Sequence, residues 1–186
     1  MTLTPSTMIA LGHEATEFNL LEPKTGRYLS SADLPGPEGM LVVFICNHCP
    51  FVRHIEPGLI QLGRDYAGKG IAMVAISSND AATHPEDGPE KMAEKDYPFP
   101  YLYDESQQVA KAYDAACTPD IFLFNGEREL VYRGQFDDSR PNNDLPVTGK
   151  DLRAAMDALL AGKKPSTEQK PSIGCNIKWR AYHRAQ

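Results

Sequence analysis

Cysteine is scarce in this sequence, with four among 186 residues. That is too few for a disulfide-stapled scaffold, and a chain of this length buries a core without staples. A basic excess is also missing. Nineteen Lys and Arg face 25 Asp and Glu, a formal net charge of -6, so nothing points to nucleic acid or to an anionic membrane as partner. No apolar run approaches the roughly 20 residues that cross a bilayer. The opening "MTLTPSTMIALGHEA" has no basic n-region and no long apolar h-region, so no signal peptide is expected and the cytoplasm is the expected compartment. There is no internal repeat and no long low-complexity segment. The length fits one domain over residues 1–162, followed by a polar tail over 163–186 that opens with "KKPSTEQKPSIG". In a reducing compartment the four cysteines, Cys46, Cys49, Cys117 and Cys175, are catalytic, metal-binding or simply buried.

What the chain does have is "LVVFICNHCPFVRHI", Leu41 to Ile55. Residues 41–45 form a continuous apolar run with β-branched content, as in a strand buried on both faces. Phe51, Ile55, Leu59, Leu62 and Tyr66 then recur at helical spacing, with Pro57 predicting a kink. "IAMVAIS" (71–77) is a second buried strand, so the order is strand, helix, strand, with a right-handed crossover. Further on, a short helix is expected near 87–96. Asp104 with Gln107 resembles a capping pair and predicts a helix over 105–115. "DIFLF" (120–124) is a strand, Asn125-Gly126 a tight turn, and "ELVYRG" an antiparallel return. Thr148 with Asp151 caps a last helix ended by Gly162. Asp137 and Asp138 fall in a polar loop and are read as solvated. The fold class is α/β.

A thiol reacts as thiolate, and the N-terminus of a helix favours negative charge. The first Cys of a C-x-x-C at a strand-to-helix junction is therefore expected to be exposed and ionised. Cys46 is the expected nucleophile, and Cys49, a turn along, resolves the mixed disulfide. His48 adds a charge that tunes the potential. Two bland readings compete. One is a half zinc site, which would need a second close-spaced ligand pair that the sequence lacks. The other is a pair of inert buried thiols.

A second signal is "CTPDIFLF". Pro119 enters a strand, so the Thr118–Pro119 bond is a candidate for cis, although trans is the ordinary state. "FICNHCPF" followed some seventy residues later by "CTPDIFLFNGERELVYRG" resembles the thioredoxin superfamily, in the branch that contains AhpC/TSA peroxiredoxins and TlpA-type thiol oxidoreductases. The resemblance runs over roughly Ala15 to Gly162 and implies a thioredoxin fold, a central mixed sheet flanked by helices. It also implies that Pro119 is cis beside Cys46, and that the Thr118 backbone pairs with a bound substrate strand. It further implies a thiol–disulfide oxidoreductase acting on protein or small thiol substrates, with an unidentified reductase or oxidant and without a cofactor. The match departs from peroxiredoxins, since aligning Cys49 with their peroxidatic thiol puts Val42 at the Pro position and Cys46 at the Thr position. It departs from thioredoxins proper in having Asn-His between the cysteines and no acid on the preceding strand. Thiol peroxidase, and a copper- or zinc-binding module built on Cys46, Cys49 and a His, remain as alternatives.

Cys117 precedes Thr118 and is either a small buried residue or a secondary redox thiol. Cys175, on the tail, is a candidate tethered substrate or resolving thiol. Ile177 and Trp179 are expected to dock the tail. Arg53 is a candidate to flank the site, His54 is read as solvated or capping, and His13, His84 and His183 carry no pattern.

Overall fold

The chain is described over residues 2–181 by a computed structural model. The sheet is built around β4 (Gly39–Phe44), which pairs in parallel with β5 (Ile71–Ser77) and antiparallel with β8 (Asp120–Asn125). With β2 (Asn19–Glu22), β3 (Arg27–Ser30), β6 (Tyr101–Tyr103) and β9 (Leu130–Tyr132) it forms a seven-stranded mixed sheet of order β3-β2-β6-β5-β4-β8-β9. The helix α1 (Pro50–Asp65) connects β4 to β5, giving the expected strand, helix, strand unit and running on through Pro57. This is the thioredoxin fold, a central mixed sheet flanked by helices.

The continuous apolar run of β4 has its reason in two cores. Leu41, Val43 and Ile45 face one, with Ile55, Leu59 and Leu62 of α1 and with Leu152 and Met156 of α4 (Lys150–Leu160). Met40, Val42 and Phe44 face the other, with Leu102, Tyr113, Phe122 and Phe124. A strand buried on both faces has no polar alternation to show.

The tight turn expected at Asn125-Gly126 is present, closed by Arg128 N–H on the Asn125 carbonyl at 3.0 Å, and β9 returns antiparallel. β9 begins only at Leu130, the Asn125 side-chain oxygen accepts from the N–H groups of Glu127 (3.0 Å) and Glu129 (2.9 Å), and the left-handed residue is Arg128. Gly126 is needed because a Cβ there would lie 2.5 Å from the Pro37 carbonyl oxygen. Two other local expectations are corrected. The helix expected over 105–115 shrinks to α3 (Gln108–Ala112). Asp104 does cap it, accepting from Ala110 N–H at 3.0 Å, but Gln107 turns away and its amide donates to the carbonyls of Ser78 and Lys178. Asp137 is not solvated. It is buried and its carboxylate accepts from the N–H groups of Thr148 and Gly149, both at 2.7 Å, just before α4.

Between β5 and β6 the chain forms a single 3-10 turn over Pro85–Asp87 and the short α2 (Pro89–Ala93). The tail is more than a linker. Ile173–Asn176 forms β10, the middle strand of a second sheet between β1 (Leu3–Pro5) and β7 (Cys117–Thr118). Ile177 is buried in the second core, whereas Trp179 remains 42 % exposed. No helix among the described residues is long and apolar enough to cross a membrane. His183 lies outside the described residues.

Candidate active site

β4 ends at Phe44, and the chain must turn before α1. Cys46, Asn47 and His48 make that turn, and Cys49 is the N-cap residue of α1, with Pro50 in the first turn, where its missing N–H costs nothing. The helix N-terminus therefore acts on the second cysteine and not, as expected from the sequence, on the first. Cys49 is held down at about 4, first by the hydrogen bond from the Cys46 thiol, then by Cys175, Thr118 and the Val52 N–H, against the pull of burial. Cys46 is pushed far up by the same bond to Cys49, by burial, and by the Asp87 carboxylate. A negative charge on the reduced pair is thus favoured at Cys49 over Cys46. Both sulfurs are buried; Cys46 is 1 % exposed and Cys49 fully covered.

The Thr118–Pro119 bond is cis, as the resemblance implied. Its place explains why this matters for the thiols. Thr118 Oγ1 lies 3.6 Å from Cys46 Sγ, and the Thr118 carbonyl accepts from Cys49 Sγ at 3.2 Å when that group is a thiol. The N–H and C=O that a substrate strand would need at Thr118 meet the chain's own tail. Cys175 stands opposite Thr118 in the β7–β10 register, and its Sγ lies 2.8 Å from Cys49 Sγ.

His48 Nδ1 lies 3.8 Å from Cys46 Sγ and also bonds Asp87 Oδ2. Asp87 is the residue the sequence reading missed. Fully buried, it accepts from Asn47 N–H at 2.7 Å and His48 N–H at 3.1 Å through Oδ1, and from Asn79 Nδ2 at 2.8 Å through Oδ2. It therefore ties both residues between the cysteines to the 3-10 turn. The Asn47 side chain completes the tie, donating to the Glu86 carbonyl and accepting from the Tyr101 hydroxyl. Arg53 supports the loop and not the thiols, donating from Nε to the Asn47 carbonyl at 2.9 Å. His84 stacks on His48 with ring centres 5.0 Å apart, and His54 pairs with Ser139.

The ligand atoms of Cys46, His48 and Asp87 lie within 4.8 Å of one another, close enough to consider a metal. The Asp87 carboxylate, however, already accepts four hydrogen bonds, two of them from backbone. Its evident work is to hold the loop. Cys117 bonds a backbone carbonyl and not another thiol. Fully buried, it donates to the Pro119 carbonyl at 3.5 Å, and burial with the nearby Asp120 pushes it well above the ordinary thiol range.

Asp120 follows the cis proline and is fully buried. Oδ2 accepts from Ala116 N–H at 3.0 Å, but Oδ1 has no hydrogen-bond partner among the described residues, and neither has the Ser6 hydroxyl. Burial pushes its pKa from 3.8 to about 6. A carboxyl raised on folding contributes stability that is full below its unfolded pKa and is lost as pH rises through its folded one. Between pH 4 and 6.5 the wild type should therefore lose about 2 kcal/mol relative to Asp120→Asn, which stays uncharged. Urea midpoints of both chains at the two pH values measure this, and parallel behaviour would show that Asp120 ionises freely.

The chain is similar to known proteins in family and in fold. Residues 11–133 match the model of the AhpC/TSA family. A thiol-disulfide oxidoreductase, ResA, of Geobacillus kaustophilus (strain HTA426) is 28% identical over 134 residues, 70% of this chain and 74% of that one. A crystal structure of an uncharacterized conserved protein from Geobacillus kaustophilus is 50% identical, covers 98% of both chains and superposes with a TM-score of 0.93. A hypothetical protein from Sinorhizobium meliloti 1021 is 52% identical over 96% of this chain and all of its own, with a TM-score of 0.92.

Proposed function

The chain belongs to the AhpC/TSA family, and on that premise we propose that it is a thiol–disulfide oxidoreductase whose working couple is Cys46 and Cys49. The observation that carries the reading is the placing of the two cysteines at the start of α1, Cys49 as its N-cap, with Thr118 of the cis Thr118–Pro119 pair against both, its Oγ1 3.6 Å from Cys46 Sγ and its carbonyl 3.2 Å from Cys49 Sγ. A thiolate favoured at a helix N-cap can take the proton of the attacking thiol. Cys46 attacks one sulfur of a substrate disulfide. Its proton passes to Cys49, the substrate S–S bond breaks, and the departing thiolate carries the electron pair away. The departing thiolate then takes that proton from Cys49. Cys49 attacks Cys46 Sγ, and the second substrate thiolate leaves. The substrate is reduced by two electrons, and the chain is left with a Cys46–Cys49 disulfide. Thr118 and Pro119 wall the site, and His48, held by Asp87, sets the charge beside Cys46.

The substrates in this reading are protein or low-molecular-weight disulfides, and a separate reductase or oxidant resets the couple in the cytoplasm. A specific observation favouring peroxide as substrate is lacking. The test is redox equilibration of the Cys175→Ser chain in glutathione buffers, with the disulfides mapped by mass spectrometry. One reversible disulfide joining Cys46 to Cys49 is the expected result, and its midpoint gives the potential. Thiols that stay reduced across the whole buffer range would overturn the reading.

A further inference from the structure

We propose that Cys175 is a third redox thiol of this site, and that the chain forms a Cys49–Cys175 disulfide by exchange with the Cys46–Cys49 disulfide. The inference rests on the oxidoreductase reading, which supplies the first disulfide from a substrate disulfide.

Four observations place Cys175 for this step. Its Sγ lies 2.8 Å from Cys49 Sγ, within reach of a reacting pair. It is delivered by backbone register, opposite Thr118 on one side and Leu3 on the other. The strand is fitted to its place, because Gly174 passes so close to Thr118 that a Cβ would lie 1.9 Å from the Thr118 carbonyl oxygen. Both ends of β10 are fastened as well. The Ser172 hydroxyl donates to the Pro119 carbonyl at 2.6 Å, Lys178 N–H donates to Asn79 Oδ1 at 2.9 Å, and the Lys178 carbonyl accepts from Asp80 N–H and from Gln107 Nε2. Asn79 is the same side chain that bonds Asp87, so the tail is tied to the loop that carries the cysteines. A thiol on a loose tail would meet the site at millimolar effective concentration; this one is held in contact.

The step balances as thiol–disulfide exchange. Cys175 gives up its proton and attacks Cys49 Sγ. The Cys49–Cys175 bond forms, the Cys46–Cys49 bond breaks, and the electron pair leaves on Cys46, which takes the proton. Nothing is oxidised or reduced overall. Burial first, and then its contact with Cys49, push the Cys175 thiol up to about 12 in the reduced site. The second of these causes disappears once Cys49 is engaged in a disulfide, which eases the attack. The outcome is a chain that keeps its oxidising equivalent on a covered bond, with the tail strand locked on and Cys46 free again.

The test uses the full chain, oxidised with glutathione disulfide, quenched in acid, alkylated and mapped by mass spectrometry. Wild type should yield both the Cys46–Cys49 and the Cys49–Cys175 link, in a ratio independent of protein concentration. Cys46→Ser should lose two of its three thiols to an intramolecular Cys49–Cys175 link. Gly174→Ala, which forces β10 off Thr118, should lose the Cys49–Cys175 link and keep the other. Absence of the Cys49–Cys175 link from both wild type and Cys46→Ser, at every glutathione ratio that oxidises Cys175→Ser, would overturn the proposal. A Cys175→Ser chain that forms no Cys46–Cys49 link is a separate failure, that of the oxidoreductase reading itself.

Discussion

Cys46→Ser should lower the reduction of a model protein disulfide by about 1000-fold or more, the scale on which removal of a covalent nucleophile is felt. Cys49→Ser should do comparable damage to turnover with a different signature. Without Cys49 the first product loses the thiol that resolves it, so the Cys46 mixed disulfide should accumulate and be visible as one added substrate mass per chain. The mixed disulfide should also form more slowly than in wild type. Cys46 is buried beside Asp87 and pushed up by both, and Cys49 is the group that accepts its proton. Taking Cys49 away leaves the nucleophile protonated at neutral pH. Rapid-quench mass spectrometry measures both rates. An adduct on Cys49 in the Cys46→Ser chain would reverse the two roles, since Cys49, the N-cap of α1, is the thiol that is held down.

That reversal is worth testing because the sequence misleads at this point. A C-x-x-C after an apolar run gives the strand-to-helix junction, but it does not say which cysteine becomes the N-cap. Pro50 decides it, since proline belongs in the first turn of a helix and so pushes the cap back to Cys49. The helix start was legible in "CPF", given that rule. The sheet was legible for a similar reason. Leu41 to Ile45 are all apolar because both faces are covered, and no other element explains such a run so close to a helical pattern. The Thr118–Pro119 bond also carried over from resemblance to geometry.

The tail and Asp87 were not legible, and the physical reason is shared. β10 is four residues long, with a glycine in it, and of its residues only Ile173 favours a strand strongly. It is a strand because β1 and β7 offer it two edges, more than 50 residues away along the chain in each case. Asp87 sits in "THPEDGPE", which reads as a polar loop, and its burial is created by a backbone turn 40 residues earlier. A buried carboxylate has no local pattern. Its signature is the set of donors that converge on it.

Replacing Asp87 separates those donors from its charge. Asp87→Ala leaves the Asn47 N–H without an acceptor in a buried site and strips His48 N–H, His48 Nδ1 and Asn79 Nδ2 of theirs. Orphaned buried donors of this kind cost about 3 kcal/mol together at the low end, which for a chain of this size is a Tm lower by roughly 6–12 °C. Asp87→Asn keeps an oxygen for the two backbone N–H groups and should fall by less, its amide nitrogen facing Asn79 and His48 unfavourably. What both substitutions remove is the negative charge that raises Cys46. The sign is fixed: a carboxylate beside a thiol disfavours the thiolate, so its neutralisation moves Cys46 down. The pH profile for alkylation of Cys46 by iodoacetamide in the Cys49→Ser background should therefore shift to lower pH in Asp87→Asn. A merely structural role would lower Tm and leave that profile where it was. His48→Ala provides the converse, because it removes the imidazole that stands 3.8 Å from the sulfur while leaving the Asp87 charge in place. If His48 shields Cys46 from that charge, its loss moves the profile to higher pH, opposite to the effect of Asp87→Asn. Two shifts of the same sign would mean that the pair acts on Cys46 through the shape of the loop and not through its charge.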